Sequence, residues 1–81
     1  MKVKVKLFGA PREALGRREI EQTLPEGSTA GALLDLLVEA HPALRPYSSL
    51  IKLAVNRKYV PAQTRLHEGD EVALIPPVGG G

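Results

Sequence analysis

The longest helical pattern in the chain is STAGALLDLLVEAHP, residues 28–42. Ser28 and Thr29 are N-cap candidates, because their side-chain oxygens can accept hydrogen bonds from the free amides of a first helical turn. Four apolar residues then recur at helical spacing and define one face: Leu33, Leu34, Leu37 and Val38. Pro42 disfavours helical backbone in the residue before it, so we expect the helix to end at residue 40 or 41.

Two strand patterns precede this helix. Residues 2–7 alternate lysine with valine or leucine, which is the period of a strand with one buried face. Residues 18–24 alternate more weakly and predict a second strand. Between them, residues 11–15 predict a short helical turn that proline opens and Gly16 closes.

Three shorter strand patterns follow the helix, after a predicted loop at residues 42–49. The strands are predicted at residues 50–55, 58–60 and 71–75. Asn56 and Arg57 tolerate the positive φ that a tight hairpin requires between the first two of them. The His-Glu-Gly-Asp sequence at residues 67–70 predicts a turn before the last strand.

This order of two strands, one helix and three strands predicts an α+β fold. One helix can cover only one face of a sheet, so the helix and the strands must form separate layers. The order is compatible with a β-grasp, in which a mixed sheet of about five strands wraps one main helix, although the pattern leaves the strand order open. We expect residues 1–75 to form this domain and residues 76–81 to form a flexible C-terminal tail.

The composition excludes several classes of site. The chain has no cysteine, so a disulfide scaffold, a zinc ribbon and a thiol nucleophile are all excluded. His41 and His67 are too few for a typical metal site, and neither has the spacing to a nucleophile or carboxylate that suggests a catalytic triad. Apolar stretches are far shorter than the roughly 20 residues that span a bilayer, and the N-terminus lacks a signal-peptide pattern. We therefore expect no metal, no membrane association and a cytoplasmic location.

The charge distribution favours a solvated sheet face over a nucleic-acid interface. Residues 1–18 have six Lys/Arg against one Glu, a net charge of +5, whereas residues 19–81 have five against eight, a net charge of −3. Phe8, Tyr47 and Tyr59 are the only aromatic residues, too few for a platform on which bases stack. We expect no nucleic-acid partner, and a small basic RNA-binding or structural module is the alternative from a different class.

The last six residues, PPVGGG, have the most unusual composition in the chain. Pro76 and Pro77 cannot donate hydrogen bonds to a sheet, so the strand must end there. A frayed terminus is one interpretation. The functional interpretation is that a glycine terminus can enter a narrow channel and presents an unshielded carboxylate. ATP can convert that carboxylate at Gly81 to an acyl-adenylate, and a sulfur nucleophile can then form a thiocarboxylate.

A resemblance to a known family supports the functional interpretation. The segments that match are FGA at 8–10, REALG at 12–16, LPEGST at 24–29, AVN at 54–56 and GDEVALIPPVGGG at 69–81. Together they resemble the small, sulfur-carrier subunit of molybdopterin synthase, the MoaD family, which is ubiquitin-like in fold. The resemblance covers essentially the whole chain.

The resemblance implies a carrier that is not an enzyme on its own and binds no cofactor. Gly81 would be adenylated by an E1-like adenylyltransferase, which consumes ATP, and thiocarboxylated by a sulfur donor system. The large catalytic subunit would then use this sulfur to convert cyclic pyranopterin monophosphate to molybdopterin. Two alternatives share the fold and the glycine ending: a sulfur carrier for thiamine or tRNA thiolation, and a ubiquitin-like protein modifier.

Strand phase predicts a surface for these partners. Side chains alternate between the faces of a strand, so Phe8 and Ile75 should point away from the helix. The resemblance implies that the first and last strands are adjacent, which would bring these two residues together, and Tyr59 can extend the patch. Partner contacts are also predicted for the start of the tail, at Pro76, Pro77 and Val78. Gly80 and Gly79 would give the terminal carboxylate access to an active site.

Overall fold

The last strand among residues 1–77 is the central strand of a five-stranded mixed sheet. This strand, β5 (Glu71–Ile75), pairs in parallel with β1 (Lys2–Leu7) and antiparallel with β3 (Lys52–Val55). β2 (Glu19–Thr23) pairs antiparallel with β1 at one edge, and the two-residue β4 (Lys58–Tyr59) pairs antiparallel with β3 at the other. The strand order is therefore β2-β1-β5-β3-β4. It confirms the β-grasp and supplies the order that the sequence pattern left open.

The computed structural model describes residues 1–77. The predicted tail residues Val78, Gly79, Gly80 and Gly81 lie outside the described residues. Pro76 and Pro77 are described and continue the chain beyond β5, outside regular secondary structure. Within the described part of the chain, no helix is both long and apolar enough to cross a bilayer.

The main helix, α2 (Ala30–Ala40), begins and ends where the sequence predicts. The Thr29 hydroxyl oxygen accepts a hydrogen bond from the Ala32 amide at 3.1 Å, so Thr29 is the N-cap. Leu33 and Leu37 have no solvent-exposed surface and pack against the sheet. The alternation of β1 is also confirmed, since its valines and Leu7 are buried while Lys2 and Lys4 are exposed.

The short helix and the first connection also follow the prediction. α1 (Gly9–Leu15) begins two residues earlier than expected and ends at Gly16, which has φ +67 as a left-handed C-cap. Glycine adopts this conformation without steric cost, which explains why α1 ends there. Leu7 donates a backbone hydrogen bond to the Arg18 carbonyl at 2.9 Å, so the chain returns directly into β2.

The predicted loop at residues 42–49 is wrong, because this segment forms a 3₁₀ helix at Pro42–Leu50. Pro42 occupies its first turn, where a fixed φ and a missing N–H cost nothing. Leu44 is completely buried, and its amide donates to the His41 carbonyl at 2.9 Å. Burial of Leu44 thus folds a proline-rich segment back onto the core. As a consequence β3 begins at Lys52 and not at residue 50.

Candidate functional site

The outer face of the sheet, opposite α2, has a shallow hollow next to the point where the chain leaves β5. We call it the outer hollow. Its volume is about 380 Å³. The residues that line it come from β1, β3, β4, β5 and the connections that follow β1 and β3: Lys6, Phe8, Ala54, Arg57, Tyr59, Glu71, Ala73 and Ile75.

The hollow exists because small side chains face outward at the middle of the sheet. Ala54 and Ala73 are directly opposite each other in the β3–β5 register, and Tyr59 is opposite Ala54 in the β3–β4 register. Two methyl groups side by side leave the centre of the face low, while larger side chains surround it. The outward phase of Ala73 is visible in the sequence, but its pairing with Ala54 depends on the strand order, which the sequence pattern left open.

The two predicted anchors are at the wall of this hollow. Phe8 directly follows β1 with extended backbone and is 44% exposed, a large apolar side chain left open to solvent. Ile75 is half-buried, whereas its neighbour Leu74 on the core face has no exposed surface. The structure therefore confirms the outward phase of both residues and their placement on adjacent strands. Their role in partner binding stays a prediction.

Tyr59 lies on the same surface. Its phase in the sequence was ambiguous, but its pairing with Ala54 directs it to the outer face, where it is 68% exposed. It also borders a second, larger depression of about 810 Å³ between α2 and β3. That second depression does not include Phe8 or Ile75, so the predicted anchors belong to the outer hollow alone.

The rim of the outer hollow is charged. Lys6 Nζ is 3.7 Å from Glu71 Oε2, a partly exposed ion pair that crosses from β1 to β5. Such a pair contributes about 1 kcal/mol or less, because water screens it. Within residues 1–77, no ion pair involves Arg57. The lining of the hollow thus combines apolar and charged side chains, and apolar residues inside a polar rim are an arrangement that can form a protein–protein contact.

A hydrogen-bond network holds the β3–β4 hairpin against the start of β5 and so positions Arg57 and Tyr59. Asn56 has φ +50, as predicted for the hairpin. Its side-chain amide donates to Asp70 Oδ1 at 3.0 Å, and its Oδ1 accepts from the Glu71 amide at 3.0 Å. Asp70 Oδ2 in turn accepts from the His67 amide at 2.8 Å. The turn at residues 67–70 was predictable from the sequence, whereas this network depends on the tertiary structure.

Replacing Asn56 by alanine is expected to lower the free energy of unfolding by about 2 kcal/mol. The change adds the cost of a left-handed alanine to the loss of two hydrogen bonds. Asn56→Gly is the matched control: it tolerates the positive φ, loses the same hydrogen bonds, and should lose about 1 kcal/mol. Urea unfolding measures both. An Asn56→Ala midpoint equal to that of the wild type would contradict a structural role for the network.

Neither histidine is placed for catalysis. His41 is the C-cap of α2, where its backbone amide donates to the Leu37 carbonyl. His67 is an exposed turn residue, with its Nδ1 3.8 Å from Asp70 Oδ2. The described residues contain no group of three or more His, Cys, Asp or Glu side chains that could hold a metal ion. The chemistry predicted for this chain is at Gly81, with Gly80 and Gly79 giving access, and these three residues lie outside the described part.

The start of the tail packs against the start of α1, a contact that the sequence did not indicate. Gly9 has φ +56, and a Cβ atom built on it would lie only 2.8 Å from Cγ of Pro76. Pro76 is half-buried and Pro77 is exposed. The segment that leads to the predicted reactive terminus therefore leaves the domain beside Phe8 and Ile75, at the edge of the outer hollow.

Comparison with known proteins identifies the family of this chain. The ThiS family profile matches residues 5–81. The molybdopterin synthase sulfur carrier subunit of Mycobacterium tuberculosis is 43% identical, with 100% of this chain and 99% of that protein covered. The subunit of the same name from Chlamydomonas reinhardtii is 40% identical, with both chains covered completely.

A solved structure gives a second kind of relative. The crystal structure of SAMP1, the small archaeal modifier protein 1 of Haloferax volcanii, has a TM-score of 0.86 and 33% identity, with 100% of both chains covered. The structural likeness also confirms that the β-grasp is of the ubiquitin-like type.

Proposed function

The chain belongs to the ThiS family, and on this premise we propose that it is the sulfur carrier subunit of a molybdopterin synthase, with Gly81 as the residue that holds the sulfur. The observation that supports this most directly is the identity of 43% with a sulfur carrier subunit over the whole length. The glycines at positions 79–81 also support it, because residues without side chains leave the Gly81 carboxyl carbon unshielded and can enter a narrow channel.

The proposed chemistry is two substitutions, the first at the α-phosphorus of ATP and the second at the terminal carboxyl carbon. The Gly81 carboxylate attacks the α-phosphate of ATP, and an acyl-adenylate and pyrophosphate form. Hydrosulfide then attacks the acyl carbon, the C–O bond to AMP breaks, and a thiocarboxylate remains. If a protein persulfide is the nucleophile instead, the product is an acyl disulfide, which a thiol must reduce to release the thiocarboxylate. An E1-like adenylyltransferase supplies the site for the first step.

The thiocarboxylate sulfur is then transferred in the large catalytic subunit. Its attack on a carbon of cyclic pyranopterin monophosphate forms a carbon–sulfur bond while a carbon–oxygen bond of that precursor breaks. Water then cleaves the resulting thioester at the acyl carbon and returns the Gly81 carboxylate, so the carrier can be used again, and a second loaded carrier supplies the second sulfur of the dithiolene. The six residues 76–81 can reach about 20 Å when extended, which is enough to enter a partner's buried active site. In this scheme the chain is a substrate and a subunit, and the catalytic groups belong to its partners.

The outer hollow is the proposed docking surface for both partners. It lies beside the residues from which the tail leaves, so a partner bound there would receive the tail at a fixed distance. Phe8, Tyr59 and Ile75 supply the apolar contacts, and Lys6, Arg57 and Glu71 supply a charged rim. Apolar anchors inside a polar rim are the arrangement that concentrates binding energy in protein interfaces.

Intact-mass spectrometry tests this function. The chain is incubated with ATP, an E1-like adenylyltransferase and sulfide, and its mass is expected to rise by the difference between sulfur and oxygen. Adding the large subunit and cyclic pyranopterin monophosphate should then return the original mass and yield molybdopterin. Omission of ATP is the control. A chain that keeps its mass under the complete conditions would contradict the proposal.

A second candidate function is attachment to other proteins. The likeness to SAMP1, at 33% identity and a TM-score of 0.86, favours it as an additional role. The same acyl-adenylate would be attacked by a lysine amine, with loss of AMP and formation of an isopeptide bond. Mass spectrometry of trypsin digests from cells distinguishes this role, because conjugation leaves peptides with Gly81 linked to a lysine side chain.

A further inference from the structure

The contact between Gly9 and Pro76 follows from the parallel pairing of β1 and β5. Parallel strands end at the same edge of a sheet, and the register places Leu7 opposite Leu74. One step further along both chains, Phe8 and Ile75 line the same hollow. The next step brings Gly9 to Pro76. The first residue of α1 is thus held against the first residue of the tail.

This contact leaves no room for a side chain at position 9. A Cβ on Gly9 would lie 2.8 Å from Pro76 Cγ, closer than real Cβ atoms approach other heavy atoms, and 3.8 Å from Pro76 Cβ. Because the approach is to the proline ring, a side chain at position 9 would have to displace either α1 or the start of the tail. The left-handed φ of +56 at Gly9 is a separate requirement for glycine.

A comparison with Gly16 distinguishes the requirement for a left-handed φ from the requirement for space. It is the C-cap of the same helix and has a similar left-handed φ of +67, but a Cβ built on it would meet nothing within 4 Å. A left-handed glycine at the end of α1 is therefore needed for backbone conformation alone. At Gly9 the missing side chain also leaves the space that the Pro76 ring occupies, and we call this space the seat of Pro76.

We propose that Gly9 is a positioning residue for the tail: its bare backbone seats the Pro76 ring, and this seat sets the direction in which the chain leaves the domain. Pro76 has a restricted φ of its own, so the seat and the ring together limit the orientations available at Pro77. The role rests on the proposed function, because a directed tail matters only if a partner must receive Gly81. Gly9 acts through Pro76 and does not touch the reacting atoms.

The test is a kinetic comparison of Gly9→Ala with Gly16→Ala in the adenylation step. Pyrophosphate release by the E1-like enzyme is measured with ATP saturating and the carrier chain varied. A misdirected tail should lower kcat roughly 10- to 100-fold, as expected when a reacting group is displaced by about 1 Å, while KM changes little because docking at the hollow remains. Gly16→Ala should keep the wild-type kcat, although thermal melting should show that both variants are destabilised.

A double-mutant cycle with Pro76→Ala completes the test. Pro76→Ala removes the ring atom that lies closest to Gly9, so adding Gly9→Ala to it should lower kcat no further. Gly9→Ala with the same kcat as Gly16→Ala would overturn the positioning role, and so would a full additional loss in the Pro76→Ala background. A wild-type chain that is not adenylated at all would overturn the proposed function and, with it, this role.

Discussion

Removing Gly81 is expected to abolish thiocarboxylate formation while the domain keeps its fold. The shortened chain would still end in glycine, but its terminal carboxylate would lie about 3.5 Å farther from the α-phosphate of the ATP bound in the adenylating site than the Gly81 carboxylate does. Adding one residue after Gly81 should have the same result, because it moves the terminal carboxylate beyond that position and leaves an unreactive amide in its place. The core lies within residues 3–74, so neither change removes a core contact.

Intact mass after incubation with ATP, the E1-like enzyme and sulfide measures this effect directly. The wild-type chain should gain sulfur completely under conditions in which both variants gain none. Circular dichroism melting is the control for folding, and all three chains should melt at the same temperature. A chain ending at Gly79 that still supported molybdopterin formation would contradict the assignment of Gly81.

Replacing Phe8 or Ile75 by alanine is expected to weaken binding to the large subunit by roughly 1–3 kcal/mol, about 5- to 150-fold in Kd. Each side chain presents apolar surface at the wall of the outer hollow, and a partner that covers the hollow would bury it. Phe8 is already 44% exposed in the free chain, so its removal should cost the fold little. Isothermal titration calorimetry with each partner measures the affinities.

Two matched variants make this result interpretable. Leu50 is 56% exposed but lies outside the outer hollow, so Leu50→Ala should leave both affinities unchanged. Leu74 is completely buried next to Ile75, so Leu74→Ala should lower the free energy of unfolding by about 2–5 kcal/mol. If Phe8→Ala and Ile75→Ala behaved like Leu74→Ala, with reduced stability and unchanged affinity, the docking assignment would be wrong.

The same surface predicts competition between the two partners. One tail cannot occupy two active sites, and both sites would be reached from the same hollow. The large subunit should therefore inhibit adenylation of the chain by the E1-like enzyme, and raising the concentration of the chain should relieve the inhibition. Formation of a stable ternary complex would show that the partners use different surfaces.

The elements that the sequence predicted well are those with local signals. Thr29 caps α2, Gly16 ends α1, and Asn56 with Arg57 makes the tight hairpin, because each depends on the conformational preferences of one or two residues. The segment at 42–50 was predicted as a loop for the same reason: its prolines and serines are local loop signals. Its helical form depends on burial of Leu44 in the core, which is a tertiary effect.

For the site, strand phase was enough to predict that Phe8 and Ile75 face away from α2. It was not enough to show that Ala54, Ala73, Lys6 and Arg57 line one hollow with them, because that requires knowledge of which strands are neighbours. The contact between Pro76 and Gly9 could not be predicted from the sequence either. A glycine after a strand indicates a turn, and nothing in its local sequence shows that a proline 67 positions later needs the space.

By itself the sequence determined most of the element types and the buried faces of β1 and β5, and it led to the prediction that the Gly81 carboxylate carries the chemistry. These properties depend on side-chain periodicity, on backbone preferences and on the presence or absence of functional groups, all of which are local. Only the tertiary structure decided that β1 and β5 pair in parallel and end at the same edge. That pairing depends on the joint burial of the apolar faces of β1, β3 and β5 against α2. It brings Phe8, Gly9, Ile75 and Pro76 together where the tail begins.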